Sequence, residues 1–283
     1  MHDDGDLGVA LRTLAMREFD ALRAALGDAR SPHRGVHEAR KAIRRLRSIL
    51  LLGRKAFRAD GAAIDAGLKA LATSLSALRD AHVAAETATR VRRRIEDETA
   101  RTRWATLRRQ LARRRDALLR SERDADPAFA ARGAQVATLA DAIAALPWNT
   151  LDADTVHRAL ERSVHRVQRA QAVVAARRST LEQRHRWRRR LRRLRMQWNA
   201  LRTLRKHTSA PVAASARAST GWLRDHMGDL AQLSQAADAL GREQDLHLLQ
   251  QALRRLPQTS ATRAAVAELR VLRNEAAARR SAR

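Results

Sequence analysis

Basic residues recur at intervals of about one helical turn in two separate segments of the chain. Because each residue of an α-helix advances about 100° around the axis, residues spaced in this way share one flank of a helix. Arginine binds phosphate oxygens through two parallel hydrogen bonds, and a protonated histidine offers two donors. The spacing therefore predicts two rows of anion-binding groups. The members are His37, Arg40, Arg44 and Arg47 in the first row, and His185, Arg188, Arg192 and Arg195 in the second.

A row of like charges is unfavourable by itself. Like charges four residues apart destabilise a helix by about 0.2–0.5 kcal/mol per pair, and residues 184–195 include no Asp or Glu. We therefore expect an anionic ligand, not acidic partners, to neutralise the rows. The alternative is a solvated basic face with partners from other helices. Further basic residues are expected on the more exposed side of the same helices: Lys41, Arg45, Arg189 and Arg193.

A third basic row follows the middle of the chain and could line the same surface. It contains Arg158, Arg162, Arg166 and Arg169, with His157 and His165, and Glu161 could neutralise part of it. Two interpretations stay open for His37 and His185. Protonation would strengthen anion binding below about pH 6.5, whereas a neutral histidine would pack against a neighbouring helix. His82 and His247, beside Leu and Val, are interpreted as packing residues.

Helices must position these residues, because apolar residues recur at helical spacing nearly throughout. One expected core stripe contains Ile43, Leu46, Leu50, Gly53 and Phe57, and another contains Leu191, Leu194, Trp198 and Leu201. Pro147–Thr150 is the clearest break, with Asp152 or Asp154 capping the next helix. The other helices are predicted at about 7–26, 33–57, 61–78, 80–94, 99–122, 130–146, 180–207, 211–239, 242–255 and 260–280.

Composition limits the function. The 283 residues include 57 Lys and Arg against 30 Asp and Glu, a formal net charge of +27. Cys is absent, which excludes disulfides and thiolate chemistry, and few Gly and Pro interrupt the helix formers Ala, Leu and Arg. We find no phosphate-binding loop, serine-hydrolase motif or zinc-protease motif, so we predict no enzyme, no catalytic or metal-binding residue and no cofactor.

The two halves of the chain repeat. The pattern His-x-x-Arg-x-x-x-Arg-Arg-Leu-Arg begins at His37 and again at His185, an offset of 148 residues, and Arg79–Val83 is similar to Gln244–Leu248. Two motifs in the same order indicate two helical halves related by a pseudo-two-fold axis. We expect a single domain over residues 7–280, made of halves 7–146 and 151–280.

The doubled motif resembles the CHAD family, whose name refers to a helical domain with characteristic histidines. The resemblance implies an all-α fold: two pseudo-symmetric four-helix bundles with a central basic pore or groove. It also implies that the three rows bind inorganic polyphosphate and that Arg79, in a segment similar to the family's Arg-Asp motif, contributes. The second copy of that motif carries Gln244, which breaks the symmetry. The Glu-x-Glu-x-Lys motif of a fused triphosphatase is absent.

Nonspecific nucleic-acid binding is the alternative function, because a charge of +27 attracts any polyanion. The lack of Tyr and the three Phe argue against a surface that stacks bases. The acidic N-terminal residues and the lack of a long apolar run predict no export and no membrane partner. We therefore expect the cytoplasm, with association with polyphosphate granules implied by the resemblance.

Overall fold

Helices make up the fold of the described residues. The computed structural model describes residues 5–176 and 179–281, and within them it contains helices and no strands. This agrees with the predicted all-α class. The helices are α1 (Gly5–Leu26), α2 (Pro32–Leu50), α3 (Arg54–Ser74), α4 (Ser76–Arg92), α5 (Glu98–Ala125), α6 (Ala130–Ala144), α7 (Ala153–Ala175), α8 (Leu181–His207), α9 (Ala210–Met227), α10 (Leu230–Arg254) and α11 (Ser260–Ser281).

Two side-chain caps and a proline mark the starts of the helices that carry the basic rows. At α7, the Asp152 carboxylate accepts a hydrogen bond from the Thr155 backbone amide at 2.6 Å, which confirms one of the two predicted caps. At α8, Thr180 and Gln183 cap each other's backbone amides reciprocally. Pro32 opens α2, where its missing N–H costs nothing.

Several predicted helix boundaries are wrong, including the break expected between residues 239 and 242, which lies inside α10. The helix predicted over residues 33–57 ends at Leu50, and a turn separates it from α3. A Cβ on Gly53 would lie 2.2 Å from the Phe57 ring, so glycine allows that ring to fold back over the turn. The helix predicted over 211–239 is divided at Gly228, whose φ of +69° favours glycine.

The residues form two compact units, of which the first comprises 1–74 and 128–238. In this unit α1 packs along α2, and α8 packs against α2, α7 and α9. The approach of α1 to α2 depends on Gly35, where a Cβ would lie 2.3 Å from the Ala25 carbonyl oxygen. The predicted stripe residues Ile43, Leu46, Leu191 and Leu194 are all buried in it.

The second unit comprises residues 75–127 and 239–283. Its core joins α4 and α5 to α10 and α11, around residues such as Trp104, Leu107 and Leu253. The Trp104 indole nitrogen donates to the Glu268 carboxylate at 2.7 Å, which satisfies the one polar atom of a fully buried ring.

Each unit draws on both sequence halves, so the units do not follow the division expected at residues 146–151. The two motif helices, α2 and α8, both belong to the first unit. They meet where Ser48 Oγ lies 3.7 Å from Met196 Sδ, and these positions are separated by the same 148 residues as His37 and His185. The pseudo-symmetric pair of bundles stays a prediction.

Among the described residues, no helix combines the length and the apolar character needed to cross a membrane.

Candidate polyanion-binding site

Three helices of the first unit position the basic residues. Helix α8 packs against α2 on one side and α7 on another, and α3 contacts both α2 and α7. The buried stripes of α2 and α8 hold these helices in register, so that their polar flanks meet at the junction with α3 and α7.

Four arginines converge at that junction. The Arg193 guanidinium lies close enough to those of Arg47, Arg166 and Arg189 to interact with them, and to the Asp65 carboxylate. Burial and the three neighbouring cations lower the pKa of Arg193 from its usual value, while Asp65 opposes that change. We call Arg47, Arg166, Arg189 and Arg193 the guanidinium cluster. Its four cations face one carboxylate, so it retains positive charge.

Arg190 extends the cluster along α8. Its Nη1 donates to the Arg166 backbone carbonyl at 3.0 Å, which ties α8 to α7. Burial and the charges of Arg186, Arg166, Arg169 and Arg189 lower the pKa of Arg190. Sequence analysis did not select Arg190, because its position on the helical wheel gave no sign that α7 lies beside it.

The first row lies on α2, and two of its arginines contact α3. Arg47 donates two hydrogen bonds to the Asp65 carboxylate, from Nε to Oδ1 at 2.7 Å and from Nη2 to Oδ2 at 2.9 Å. Arg40, which lies about two helical turns before Arg47 on α2, donates to the Ala72 carbonyl in the last turn of α3. Arg40 thereby ties α2 to the last turn of α3.

The expectation that acidic partners would not relieve the rows is wrong for several members. The partners come from other helices or from one turn away, where the sequence of a single row cannot reveal them. The ion pairs are Lys41–Glu38 at 3.2 Å, Arg45–Glu18 at 3.1 Å, Arg47–Asp65 at 2.7 Å, Arg195–Asp238 at 3.3 Å and Arg158–Asp154 at 3.9 Å.

The expected division into an inner row and an exposed side is also wrong for Arg193. This side chain is half-buried in the cluster, whereas Arg189 is exposed as predicted. In the third row, the Glu161 carboxylate lies 3.5 Å from His157 Nε2, as its proximity in sequence suggested. The remaining row members lie on α2 and α8: His37 is exposed, and Arg44, His185, Arg188 and Arg192 are half-buried.

Comparison with known proteins agrees with this architecture. The family model described as CHAD domain matches residues 13–232. The chain belongs to the CHAD-domain family. The crystal structure of the CHAD domain from the plant Ricinus communis is similar to this chain, with a TM-score of 0.64 and 20% identity over 100% of this chain and 88% of that one. No curated protein matches this chain.

The CHAD-domain resemblance suggested a ligand contact for Arg79, which lies in the second unit on α4. There Arg79 Nη1 donates to the carboxylate of its neighbour Asp80 at 2.6 Å. Asp80 and Asp245 both lie inside helices, and Asp245 pairs with Arg90 at 3.1 Å.

Two basic residues that sequence analysis missed complete a pocket in the CHAD domain. Arg54 and Lys55, at the start of α3, line a cavity of about 250 Å³ together with Arg162 and Arg166 of α7. The sequence did not indicate that these two residues begin a helix, because both were assigned to the interior of a helix predicted over 33–57.

Within the described ranges, no three His, Asp or Glu side chains lie close enough together to hold a metal ion.

Proposed function

We propose that this CHAD domain binds inorganic polyphosphate without cleaving it, through the guanidinium cluster and the rows beside it. The convergence of Arg47, Arg166, Arg189 and Arg193 around Asp65 carries the proposal. Burial and the neighbouring cations lower the pKa of Arg193, so a second anion at the site would stabilise its charged form. Membership of a family associated with polyphosphate binding supports the same ligand.

Polyphosphate suits a cluster of this kind. It presents closely spaced phosphate oxygens and no bases, so binding it requires paired donors and no stacking rings. Trp104, Trp148 and Trp198 are buried, and Trp222 packs against the rings of His157 and His226. The tryptophans therefore support the core and the helix contacts.

Nonspecific nucleic-acid binding is the second candidate, and the net charge of +27 favours it. A competition experiment separates the two. Labelled long-chain polyphosphate is bound to the protein at about 0.15 M salt and displaced with unlabelled polyphosphate, duplex DNA or single-stranded RNA. We expect polyphosphate to displace the label at the lowest phosphate concentration; more effective displacement by either nucleic acid contradicts the proposal.

A pair of variants locates the site. Arg166→Gln with Arg189→Gln removes two cations of the cluster, and Arg113→Gln with Arg120→Gln removes two exposed arginines of α5. Since a charge-assisted hydrogen bond contributes about 1.5–3 kcal/mol, we expect the first variant to weaken polyphosphate binding at least about tenfold. The α5 variant should weaken it much less. Equal losses would show that binding depends on overall charge alone.

The proposal extends to the absence of catalysis and to location. Incubation with polyphosphate and Mg²⁺ should release no phosphate above the rate without protein, and measurable release would contradict a pure binding role. We propose that the protein acts in the cytoplasm, including on polyphosphate granules. We also propose that the ligand occupies a basic pore between two helical bundles.

A further inference from the structure

The pocket between α3 and α7 differs from the open rows beside it. Its charged lining consists of Arg54, Lys55, Arg162 and Arg166, and Leu51 and Ala159 complete its wall. Its volume of about 250 Å³ lies below the range of about 300–1,000 Å³ for sites that hold drug-sized molecules. The pocket therefore fits a small group with several negative charges.

Within residues 5–176 and 179–281, the four cations of the pocket have no carboxylate partner. None of the acidic side chains in the described part of the chain lies within ion-pair distance of Arg54, Lys55, Arg162 or Arg166. In this respect the pocket differs from the first row, where Asp65 binds Arg47. Positive charge in the pocket is uncompensated within the unit.

The fold holds the first turn of α3 in place over α7. Phe57 is buried and packs edge-on against Trp148 with ring centroids 4.7 Å apart. Gly53 and Gly61 leave room for it, since a Cβ on either would lie 2.2 or 2.6 Å from the Phe57 side chain. The anchored ring fixes the turn that carries Arg54 and Lys55.

Arg58 makes this arrangement unusual. Its φ of 44° and ψ of −125° lie outside the helical region and offset the first turn of α3 from the remainder. Such a conformation in a residue with a side chain costs about 1–3 kcal/mol and persists only where the surroundings impose it. The kink and the anchored ring together present Arg54 and Lys55 to α7 before any ligand arrives.

Arg166 connects the pocket to the guanidinium cluster. The same side chain lines the pocket and interacts with Arg193 and Arg190. An anion that enters the pocket is therefore adjacent to the cluster, and one extended ligand can occupy both.

We propose that the pocket binds the terminal phosphate of a linear polyphosphate chain while the guanidinium cluster binds its interior. This inference rests on the proposed function. A terminal phosphate carries one more ionisable oxygen than an interior phosphate, and the second ionisation of a phosphate group has a pKa near 6. At neutral pH the chain end is thus the most highly charged part of the ligand, and a pocket with four cations favours it.

The test compares phosphate chains that have ends with rings that have none. A short linear polyphosphate and a cyclic metaphosphate of matched net charge are titrated into the protein by calorimetry. We expect the linear form to bind at least about tenfold more tightly, as one additional charged contact implies. Equal affinities for the linear and cyclic forms would overturn the proposal.

Matched variants test whether the preference for the linear over the cyclic form arises from the pocket. Arg54→Gln with Lys55→Gln should bring the linear form close to the affinity of the cyclic form and leave cyclic binding unchanged. Arg12→Gln with Arg202→Gln, which removes two exposed charges from α1 and α8, should preserve the preference. A preference that survives in the pocket variant contradicts the assignment, as does cyclic binding that falls equally.

Two further outcomes separate the possible failures. If the wild-type protein binds neither the linear nor the cyclic form nor long-chain polyphosphate, the proposed function itself is wrong. If pyrophosphate or orthophosphate alone occupies the pocket without displacing long-chain polyphosphate, the pocket is a separate site for a small free anion and the chain-end proposal is wrong.

Discussion

Asp65 supplies the carboxylate of the guanidinium cluster, so replacing it tests whether the cluster stabilises the fold or binds an anion. It accepts two hydrogen bonds from Arg47 and lies beside Arg193. In the free protein it offsets part of the cluster's charge, and it competes with any anion that approaches.

We expect Asp65→Asn to have opposite effects on stability and binding. Loss of the partly exposed ion pair should lower the free energy of unfolding by about 1 kcal/mol, and the increased positive charge should strengthen polyphosphate binding several-fold. Thermal melts and a binding titration measure the two effects. Asp20→Asn, which removes an exposed charge paired with Arg23 one turn away on α1, is the control. Unchanged affinity in the Asp65 variant would place the ligand elsewhere.

His247 makes the folding stability of the second unit depend on pH. Burial, Arg273 and Arg254 lower its pKa, against an opposing effect of Glu243. The folded state therefore binds fewer protons than the unfolded state below about pH 6.5. The neutral side chain contributes its full stability above that pH, and the contribution decreases as the pH falls through the lowered pKa.

We expect His247→Gln to reduce the acid sensitivity of the protein. Denaturant unfolding at pH 7 and pH 5 should show a smaller loss of stability in the variant than in the wild type. His207→Gln, at an exposed position at the end of α8, should keep the wild-type loss. An unaltered pH dependence in the His247 variant would contradict a role for burial.

Helical periodicity identified the row residues and the core stripes, but not the partners of the rows. Arg47 meets Asp65 from 18 residues away, and Arg195 meets Asp238 from 43 residues away. A one-dimensional pattern records the flank on which a residue lies. It does not record which helix covers that flank, so the carboxylates and the placement of Arg193 required the structure.

At the scale of elements, close helix contacts depend on glycines whose missing side chain makes room for a neighbour. A Cβ on Gly8 of α1 would lie 1.8 Å from the Trp148 carbonyl oxygen, an atom of the backbone that cannot rotate away. At Gly133 of α6, by contrast, nothing lies within 4 Å of the same position.

These two positions provide a matched test of the packing of α1. Gly8→Ala should destabilise the protein by about 1–3 kcal/mol through overpacking. Gly133→Ala should be neutral or stabilise by up to about 1 kcal/mol, because alanine favours a helix more than glycine does. The midpoints of thermal unfolding report both, and equal effects would mean that α1 does not pack on the Trp148 segment.

Helix boundaries were predictable where caps or prolines mark them. Asp152 was one of the two caps predicted for α7, and its carboxylate caps the start of that helix. The stops at Leu50 and Gly228 were not. A glycine in an apolar stripe fits a helix locally, and only the ring of Phe57 reveals that Gly53 lies in a turn.

At the scale of the whole molecule, the net charge of +27 opposes compactness through self-repulsion. Any anion that binds the folded state relieves this repulsion, and the stabilisation grows with ligand concentration. Stability and ligand binding should therefore respond together to salt.

We expect long-chain polyphosphate to raise the unfolding temperature at low salt and to lose this effect as salt increases. Counterion release makes the logarithm of the binding constant fall linearly with the logarithm of salt, by roughly one unit of slope for each phosphate neutralised. Arg166→Gln with Arg189→Gln should reduce that slope, whereas the α5 variant should leave it nearly unchanged. A slope identical in all three proteins would contradict a defined cluster.

The contact between Ser48 and Met196 has a consequence for how this chain can vary. In an isologous assembly of two identical subunits, a residue on the dyad meets its own copy, and one mutation alters both sides at once. Here both copies of the motif lie in one chain, so positions 148 residues apart can differ, and a hydroxyl faces a thioether. The motif helices are free to evolve separately even where they touch.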